Sequence, residues 1–546
     1  MATTITVLSW NIESFGAAKA AQPIPQGQPA TPLSKSQIID FVVAAGKQLN
    51  VDVIGIMEIK SGIGSLILSW LLSGLNNNGT AGTVWKGQVS TRQDGGTQEE
   101  YIYLWRSTAN FDLDTTLMPG PTSLVNVVDT QAFNNFFTTV NITTTAQQTQ
   151  FFEALAANSY IVKGTWKEGR GAMKTTKTYR VNPGMWKLLS TGAAVAFTDK
   201  TNPPPVNFTN AQLIQIGTIL TQLDVLRFIT YGDRSPYIIN LTLDAKPLTI
   251  AVYHAPGPQD PTRFEAINII GMSLPLAPSN PDKNMLLMGD FNIGETQTST
   301  QARVYARASV TGNANAVVFQ PAKPVQRAVI FHPIVLAPLS TSLSRLSKTY
   351  TSLTTRFVTN TAPITDANGN TYDNFYFHTS ATTANQITAT FGGAKISLPL
   401  QTFIPGQTGY DAGLAKSALL FFKAFRGTAF LTKAIADVTK KQTKNDVAVK
   451  RATNAFQTAQ QNLNKAKASG GQPTATLQQR FNKTQKVMNA ANTKKNIFAD
   501  ELTSLNATST LIGNPINSVP AGVGDALTIY RYAISDHLAI GLQLQS

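Results

Sequence analysis

The stretch NMLLMGDFNIG at 284–294 constrains the fold most, because a continuous apolar run ends there in polar residues. The four residues before Gly289 predict a buried strand. Glycine at this point lets the backbone turn or approach a ligand closely. Asp290 and Asn292 follow two positions apart, so an extended chain would place both side chains on one side. A carboxylate and an amide facing one point suit a metal-bound phosphate, although a strand ending in a polar turn would look the same.

Other predicted strands also end in polar side chains. The strand at 5–12 carries Asn11 at its end, followed by Glu13, and the strand at 51–59 carries Glu58. Singly, such residues have structural explanations, for example a solvated glutamate. The strand ends of one sheet system converge on one face, however, so we expect the set to form a single site. The set is Asn11, Glu58, Glu99, His254, Asp290, Asn292, Asp373, Asp536 and His537.

Between these strands, the spacing of apolar residues predicts helices at 34–49, near 65–75 and at 262–274. Thr262 and Glu265 form a capping box at the start of the third helix. Alternating strands and helices predict an α/β fold, and short turns allow antiparallel pairing as well. At the end of the chain, a pair of strands within 528–545 is predicted to bracket Ser535-Asp536-His537.

Three stretches differ in composition from the predicted core and interrupt its alternation of apolar strands and helices. The predicted core segments are 1–106, 227–296, 366–400 and 526–546, and the predicted insertions are 107–226, 297–365 and 401–525. The first insertion contains basic residues interleaved with Trp166 and Tyr179 at 163–180. That pattern suits either a grip on nucleic acid or a solvated basic hairpin.

The third insertion predicts a helical hairpin, with helices at 431–468 and 474–505 separated by GGQP. Between 433 and 505 it holds 13 Lys/Arg against 4 Asp/Glu, which is +9 of the total +15. The apolar stripe is thin and therefore weak for a self-sufficient coiled coil; its residues are Val438, Val449, Phe456 and Leu463. A DNA-gripping arm, an oligomerisation arm and a solvated hairpin are the alternatives.

Composition narrows the class of protein. With 42% hydrophobic and 14% charged residues in 546, the chain can bury a large core, and the net charge of +15 favours an anionic partner. The chain has no cysteine, which excludes disulfide and thiolate chemistry. The N-terminus lacks signal-peptide features, and the apolar stretches at 64–75 and 418–431 are too short to span a bilayer. We expect a soluble protein without membrane insertion, cytoplasmic or exported without a signal peptide; the sequence sets no oligomeric state.

Seven motifs occur in an order that resembles the endonuclease/exonuclease/phosphatase family. They are WNIE (10–13), IMEIK (56–60), EEYIYLWR (99–106), YHAPG (253–257), GDFN (289–292), YDNF (372–375) and SDH (535–537). GDFN and SDH together make a specific pair. The resemblance covers about 1–106, 227–296, 366–380 and 526–546 and leaves out the insertions. It is strongest to the pancreatic deoxyribonuclease branch, which includes the nuclease subunit of cytolethal distending toxin.

The resemblance implies a four-layered α/β sandwich with two packed mixed sheets, to which the helical hairpin is added. It also implies the role of each residue.

Glu58 and Asn11 would bind Mg²⁺, for which Mn²⁺ could substitute, and Asp536 lies close enough to join them. Asp290 and Asn292 would hold the phosphate and the attacking water. His537, oriented by Asp373, would be the general base, and His254, oriented by Glu99, the general acid. Arg234, a looser match, would contact phosphate, as would Asn11.

These residue types suit phosphodiester hydrolysis independently of the family. Two carboxylate-oriented histidines can divide the proton transfers near neutral pH, and an oxygen ligand shell suits Mg²⁺. Zinc is disfavoured by the absence of cysteine and of closely spaced histidines. His254 disfavours the abasic-site branch, which usually has tyrosine near this role. Asn374 and the lack of cysteine disfavour the inositol-phosphate phosphatases, and Asn374 also departs from the deoxyribonuclease pattern, where arginine is common.

The sequence thus predicts a metal-dependent phosphodiesterase, specifically a Mg²⁺-dependent endonuclease that cuts DNA with low sequence specificity. Its partner would be nucleic acid, most of all double-stranded DNA. Because such an activity is toxic in a cell, we expect an inhibitor or an activating partner. One alternative is a phosphoesterase of the same fold that acts on RNA, a nucleotide or a phospholipid such as sphingomyelin. That last substrate would require an exposed apolar hairpin, for which Phe421-Phe422 is the candidate. A non-catalytic scaffold is the other alternative.

Overall fold

A computed structural model describes the chain in segments. The described residues are 2–21, 35–77, 83–91, 99–116, 120–123, 234–255, 284–292, 372–380, 382–390, 410–469, 475–513, 523–537 and 539–546, with isolated residues within 135–144, residues 257 and 405, and the backbone of short strands within 162–181, 317–331, 344–353 and 369–370. The predicted helix at 262–274 and the predicted grip of the side chains at 163–180 lie outside the described residues.

Nineteen strands and seven α-helices are described. The strands are β1 (Thr4–Phe15), β2 (Val53–Lys60), β3 (Val84–Val89), β4 (Glu99–Ser107), β5 (Phe111–Leu113), β6 (Thr122–Ser123), β7 (Val162–Glu168), β8 (Thr175–Val181), β9 (Tyr237–Leu243), β10 (Lys246–His254), β11 (Asn284–Asp290), β12 (Val317–Phe319), β13 (Val329–Phe331), β14 (Ser344–Arg345), β15 (Ser352–Leu353), β16 (Gly369–Asn370), β17 (Asp373–His378), β18 (Thr388–Thr390) and β19 (Ile540–Gln545). The helices are α1 (Ala17–Ala20), α2 (Gln37–Gln48), α3 (Gly64–Asn76), α4 (Ala412–Phe425), α5 (Gly427–Ala468), α6 (Ala475–Gly513) and α7 (Val523–Ile529).

Most strands belong to two mixed sheets. The first has the order β18-β19-β1-β2-β4-β3, in which β1 and β2 are parallel and the other pairs antiparallel. The second has the order β14-β17-β11-β10-β9-β5, with β6 also on β9, and its β10 and β11 are parallel. Each sheet therefore has one parallel pair near its centre, and the ends of those strands carry the predicted site residues.

The two sheets pack face to face. Alternation along each strand sends every second side chain inward, and one buried cluster contains Val7 of β1, Met57 of β2, Val252 of β10 and Met288 of β11. A second cluster joins the outer face of the first sheet to α2, α3 and α4. The prediction of an α/β fold with two packed mixed sheets is confirmed, and three of the four expected layers lie in the described residues.

The second sheet continues past the predicted core boundaries. β5 and β6 pair with β9, although both lie beyond residue 106. β14, within 297–365, pairs with β17. In the third predicted insertion, α4 buries Ala415, Leu419 and Phe422 against the main core. Short elements of the predicted insertions are therefore part of the core.

Two local predictions are corrected. A strand pair was expected around Ser535-Asp536-His537, but α7 and a single π-helical turn, Tyr530–Ile534, precede this segment, and only β19 follows it. The wide turn buries Tyr530 and Ile534 against the outer helical layer. The apolar pair Phe421-Phe422 was the candidate for an exposed hairpin, but both side chains are buried in α4, at 1% and 0% exposure.

The helical hairpin is present as α5 and α6, 42 and 39 residues long. Buried positions recur every seven residues in α5, at Leu431, Val438, Asn445, Ala452 and Ala459. This heptad spacing is typical of a coiled coil, so the apolar stripe is longer than expected, although alanine makes it thin. Of the predicted stripe, Val438 and Leu463 are buried, whereas Val449 and Phe456 are half-buried.

In the part of the chain that is described, no helix has both the length and the hydrophobicity needed to cross a membrane.

Candidate active site

The polar residues meet at the rim where the parallel strands of both sheets end. Within the second sheet, His254 of β10 is paired in register with Asp290 of β11, which is paired with Asp373 of β17. The first sheet supplies Asn11 from β1 and Glu58 from β2. The Asn11 Nδ2 amide donates to Glu58 Oε1 at 3.0 Å and to Asp290 Oδ2 at 3.1 Å. One amide thus joins the carboxylates of the two sheets.

Asp290 lies at the centre of the group. Its Oδ1 accepts the backbone N–H of Asn292 at 2.8 Å, which turns Oδ2 toward the other residues. His254 Nε2 and His537 Nε2 each lie 3.6 Å from this Oδ2. The residue is 1% exposed, and burial, together with the charge of Asp373, raises its pKa despite the two histidines. A buried carboxylate between two imidazoles can hold a proton or a cation.

His254 is held from behind by Glu99. Its Nδ1 lies 3.1 Å from Glu99 Oε2, and its backbone N–H donates to the Tyr101 hydroxyl at 3.1 Å. Burial raises the pKa of Glu99, but the hydrogen bond and charge of His254 and the guanidinium of Arg234 outweigh it, so the pKa is lowered. An ionised Glu99 fixes the imidazole so that Nε2 faces Asp290 and Glu58, whose Oε1 is 3.7 Å away.

His537 has a similar arrangement on the opposite side of Asp290. Its Nδ1 lies 2.7 Å from Asp373 Oδ2, and its backbone N–H donates to Ser535 Oγ at 2.9 Å. Burial lowers the pKa of His537, but the charges of Asp373, Asp290 and Asp536 raise it well above the ordinary value. Ser535 in turn donates to the Asn11 carbonyl at 2.6 Å, which ties this segment to the first sheet.

Glu58 occupies a bulged strand end. The pairing of β2 with β4 shifts register between Ile56 and Ile59, and Glu58 has a φ of 62°, a backbone conformation unusual for a residue with a side chain. Burial raises its pKa, but the charge of His254, the Ser14 N–H, the charge of His537 and the Asn11 amide together lower it to about 2. The bulge therefore turns an ionised carboxylate into the site.

Gly289 lets β11 approach β10 closely at the site. Its φ is +148°, and a Cβ built there would lie 1.9 Å from the Tyr253 carbonyl oxygen. The close approach predicted for this glycine is thus made to a neighbouring backbone. Asn292 also has a positive φ, 51°, and its Nδ2 donates to the Ala255 carbonyl at 3.2 Å. Both features shape the turn that presents Asp290.

The donor atoms suit a divalent metal ion. One atom each from Asp290, Asp373 and His537 lie within 4.8 Å of one another, near enough to hold an ion together. On the other side of Asp290, Glu58 adds a carboxylate, so most of the donors are oxygens. Asn11 turns its amide N–H groups to these carboxylates, and its Oδ1 accepts the Glu13 N–H at 3.1 Å, so its role as a metal ligand stays a prediction. Oxygen donors favour Mg²⁺, Mn²⁺ or Ca²⁺.

The predicted set is brought together almost completely. Asp536 lies at the rim, half-exposed, with Oδ1 3.7 Å from His537 Nε2. The guanidinium of Arg234 pairs with Glu99, the residue that holds His254: its Nε lies 2.6 Å from Glu99 Oε2, and a second nitrogen donates to the Ala255 carbonyl at 3.1 Å. The geometry therefore favours support of Glu99, and phosphate contact by Arg234 stays a prediction.

Lys19, Tyr101 and Ser535 were not predicted as contributors. Lys19 is buried at 4% exposure and donates to the carbonyls of Ile12 and Glu13 at 3.2 and 2.6 Å, where β1 is irregular. Burial lowers the pKa of Lys19 to about 8. Ser535 lies next to the SDH aspartate and Tyr101 alternates with Tyr103, so both had a local signal, whereas Lys19 in AAKA had none.

Comparisons with known proteins give structural likenesses only. No family model matches the sequence, and no curated protein matches it. A mannosyl-6-phosphatase of Bacteroides thetaiotaomicron VPI-5482 is 12% identical with a TM-score of 0.30, over 68% of this chain and 85% of that one. An endonuclease/exonuclease/phosphatase family protein of the same species is 11% identical with a TM-score of 0.28, over 69% and 82%. D. rerio TDP2 complexed with single-strand DNA product is 9% identical with a TM-score of 0.28, over 71% and 88%. These TM-scores are low, so the function proposed below depends on the geometry of the site.

Proposed function

We propose that the protein is a metal-dependent phosphodiester hydrolase of the endonuclease/exonuclease/phosphatase type. The observation that carries the proposal is the pair of buried histidines, each bonded through Nδ1 to a carboxylate and each with Nε2 3.6 Å from Asp290 Oδ2. Two oriented imidazoles around one carboxylate are what a reaction with two proton transfers requires. A structural explanation would not require both Nε2 atoms to face the same carboxylate.

The two histidines would divide the proton transfers. We assign His537 as the general base, because Asp373 holds its Nδ1 at 2.7 Å and would stabilise the imidazolium formed when Nε2 takes a proton from water. We assign His254 as the general acid for the leaving oxygen, with Glu99 holding its Nδ1. Asp290 and Asn292 would hold the attacking water and the phosphate between them.

The oxygens of Glu58 and Asp290, with the nearby Asp536, would hold Mg²⁺, and Mn²⁺ could replace it. Asn11, whose amide N–H groups donate to Glu58 and Asp290, would hold the two carboxylates in place. A bound cation of this kind would offset the carboxylate charge and supply positive charge to the phosphate. Glu58 suits the role because it is ionised down to about pH 2. Its second oxygen is fixed by the Ser14 N–H at 2.9 Å, which leaves Oε1 facing the site.

DNA is the substrate we propose, cut with little sequence preference. The support is electrostatic, because the chain has a net charge of +15 and most of that charge lies outside the site. A phospholipid substrate is not favoured, because Phe421 and Phe422, the candidates for an exposed apolar hairpin, are buried. Such a nuclease would need an inhibitor or an activating partner in the cell that makes it.

Supercoiled plasmid tests the proposal directly. The protein is incubated with Mg²⁺, with EDTA, and as His254→Ala, and nicking is followed on a gel. His378→Ala is the matched control, because this histidine lies at the end of β17 away from Asp373. Nicking that needs both Mg²⁺ and His254, and survives in the control, supports the proposal. Nicking in EDTA would overturn the metal requirement, and cleavage of RNA with intact plasmid would transfer the proposal to RNA.

A further inference from the structure

The distal part of the helical hairpin carries most of the positive charge of the protein. We call residues 440–495 the basic arm. It contains 12 Lys/Arg and one acidic residue, Asp446, a net +11 in a chain whose total is +15. The basic residues are Lys440, Lys441, Lys444, Lys450, Arg451, Lys465, Lys467, Arg480, Lys483, Lys486, Lys494 and Lys495. A hairpin kept only for solubility would carry charges of both signs.

Every one of these twelve side chains is exposed. Among the described residues, none of them forms an ion pair within 4.0 Å, although five ion pairs between Lys or Arg and a carboxylate occur elsewhere in the described fold, such as Arg106 with Asp52. Like charges this dense repel one another, which lowers the stability of the arm, and no ion pair with a described residue offsets the repulsion. A polyanion is the partner that would compensate them.

Contacts between α5 and α6 hold the two helices of the arm in a defined register. Its seam repeats every seven residues, and the Asn445 amide within the seam donates to the Ala491 carbonyl at 3.1 Å. A polar contact of this kind at a seam position sets the register of two helices. Nearer the tip, the rings of Phe456 and Phe481 pack with centroids 5.2 Å apart. The lysines are thus displayed on a defined surface.

Nucleic acid fits this surface better than an anionic membrane. Helices that lie on membranes present a broad apolar face with residues such as Trp, Phe and Leu. The apolar residues of the arm are turned into its own seam, and its exposed large hydrophobic residues in the described part are Val447 and Val487 alone. A charged surface without an apolar face suits the sugar-phosphate backbone.

The base of the arm is joined to the catalytic segment. Arg426, just before α5, donates from Nε to the Tyr532 carbonyl at 2.8 Å, and Phe430 packs on the Tyr532 ring with centroids 5.2 Å apart. Tyr532 lies in the π-helical turn that leads to His537, five residues later. The hairpin therefore begins next to the segment that carries His537, and the basic arm starts at residue 440, about 20 Å farther along α5.

We propose that the basic arm binds the backbone of double-stranded DNA, independently of its sequence, while the active site engages a phosphodiester of the same molecule. This inference rests on the proposed function for the identity of the ligand. From residue 440 to the end of α5 the arm extends about 40 Å, since a helix rises 1.5 Å per residue. That length matches about one turn of duplex DNA, with several phosphates within reach of the twelve cations.

Binding is measured on the full chain as the His254→Ala variant, so that the DNA stays intact. Fluorescence anisotropy with a labelled duplex of about 30 base pairs gives the Kd at several salt concentrations from about 50 to 300 mM. The test variant changes six arm positions to glutamine: Lys444, Lys450, Arg451, Lys483, Lys486 and Lys494. The matched control places the opposite basic residue, Arg for Lys and Lys for Arg451, at the same six positions. Circular dichroism reports the helix content of each.

We expect the glutamine variant to bind at least about tenfold more weakly, with a salt slope shallower by roughly one for each lost phosphate contact, and the charge-preserving control to bind like the parent. An unchanged Kd and slope in the glutamine variant would overturn the proposal, and so would weak binding by the control, because folding rather than charge would then be responsible. Equal or tighter arm-dependent binding to phosphatidylserine vesicles would also overturn it. Failure of the nuclease assignment is separate, since it appears as intact plasmid with the unmodified protein.

Discussion

The active site and the basic arm treat charge in opposite ways. At the site, most carboxylates and both imidazoles are buried, and each buried group has a named partner, such as Asp373 for His537 at 2.7 Å. Along the arm, twelve cations are exposed and none forms an ion pair in the described structure. Buried charges require partners at defined positions, whereas exposed charges act through their sum. Single substitutions should therefore be decisive at the site and minor on the arm.

The largest effect is expected from Asp290→Asn. Removing the carboxylate that both histidines and Asn11 face should lower the nicking rate about 10³-fold. The melting temperature should not fall, because burial already disfavours the charged form of Asp290. Asp244→Asn, in the turn before β10 and far from His254, is the control. If Asp290→Asn nicks plasmid at a rate near that of the unmodified protein, Asp290 takes no part in the reaction. Single substitutions would then not be decisive at the site.

Glu99→Gln should have the next largest effect, because Glu99 supports His254 and neutralises Arg234. We expect the rate to fall about 10²-fold and the free energy of unfolding to fall by about 3 kcal/mol, since a buried guanidinium loses its partner. The double variant with Arg234→Gln separates the two roles. It should recover stability in urea denaturation without recovering activity; recovery of both would mean that Glu99 acts only structurally.

Glu501 is a buried acidic residue of α6 that lies six residues beyond the end of the basic arm, so it tests how the hairpin treats a buried charge. It has 0% exposure, and neither carboxylate oxygen has a hydrogen-bond partner among the described residues. Burial raises its pKa from 4.5 to about 7, despite Arg531 and Lys441. A carboxyl with a raised pKa in the folded state binds its proton more tightly there, so the folded protein loses stability as the pH rises between those two values.

Glu501→Gln should therefore stabilise the protein at about pH 8, by up to about 3 kcal/mol, and should make little difference near pH 4. Thermal melting at both pH values measures this, with Asp437→Asn on the exposed surface of α5 as the control. A variant that is less stable than the unmodified protein at pH 8 would show that Glu501 has a partner in solution.

The smallest effect should come from one arm residue. Lys486→Gln alone should weaken DNA binding only about threefold and reduce the salt slope by about one. Anisotropy on the His254→Ala background measures it, with Gln485→Asn, which changes no charge on the same turn, as the control. If Lys486→Gln loses as much affinity for DNA as the six-position variant, Lys486 makes a single specific contact. The arm would then depend on individual residues, as the active site does.

Much of the site was predictable from the chain alone. Polar residues at the ends of apolar strands, together with motifs such as GDFN and SDH, identified eight residues that the structure brings together and a ninth at the rim. The hairpin was predictable as well, from long helical periodicity split by GGQP. These features are local, so a short window of sequence carries the information.

Other features depended on contacts between distant residues. Asn11 meets Asp290 across 279 positions, and Arg234 is occupied by Glu99 across 135 positions. The burial of Lys19 and of Phe421-Phe422, and the π-helical turn before Ser535, likewise follow from packing against other elements. Local patterns cannot rank such competing partners, because tertiary burial decides which of them wins.

Local sequence alone specifies which residue types stand at the strand ends, the sign and location of the excess charge, and the alternation that produces two sheets. Packing of the whole chain set three other features: the two histidines face one carboxylate, Arg234 pairs with Glu99, and the helical hairpin begins beside the turn that leads to His537. The physical reason is that composition and periodicity are properties of neighbouring residues, whereas the distances that permit chemistry are set by packing across the whole chain.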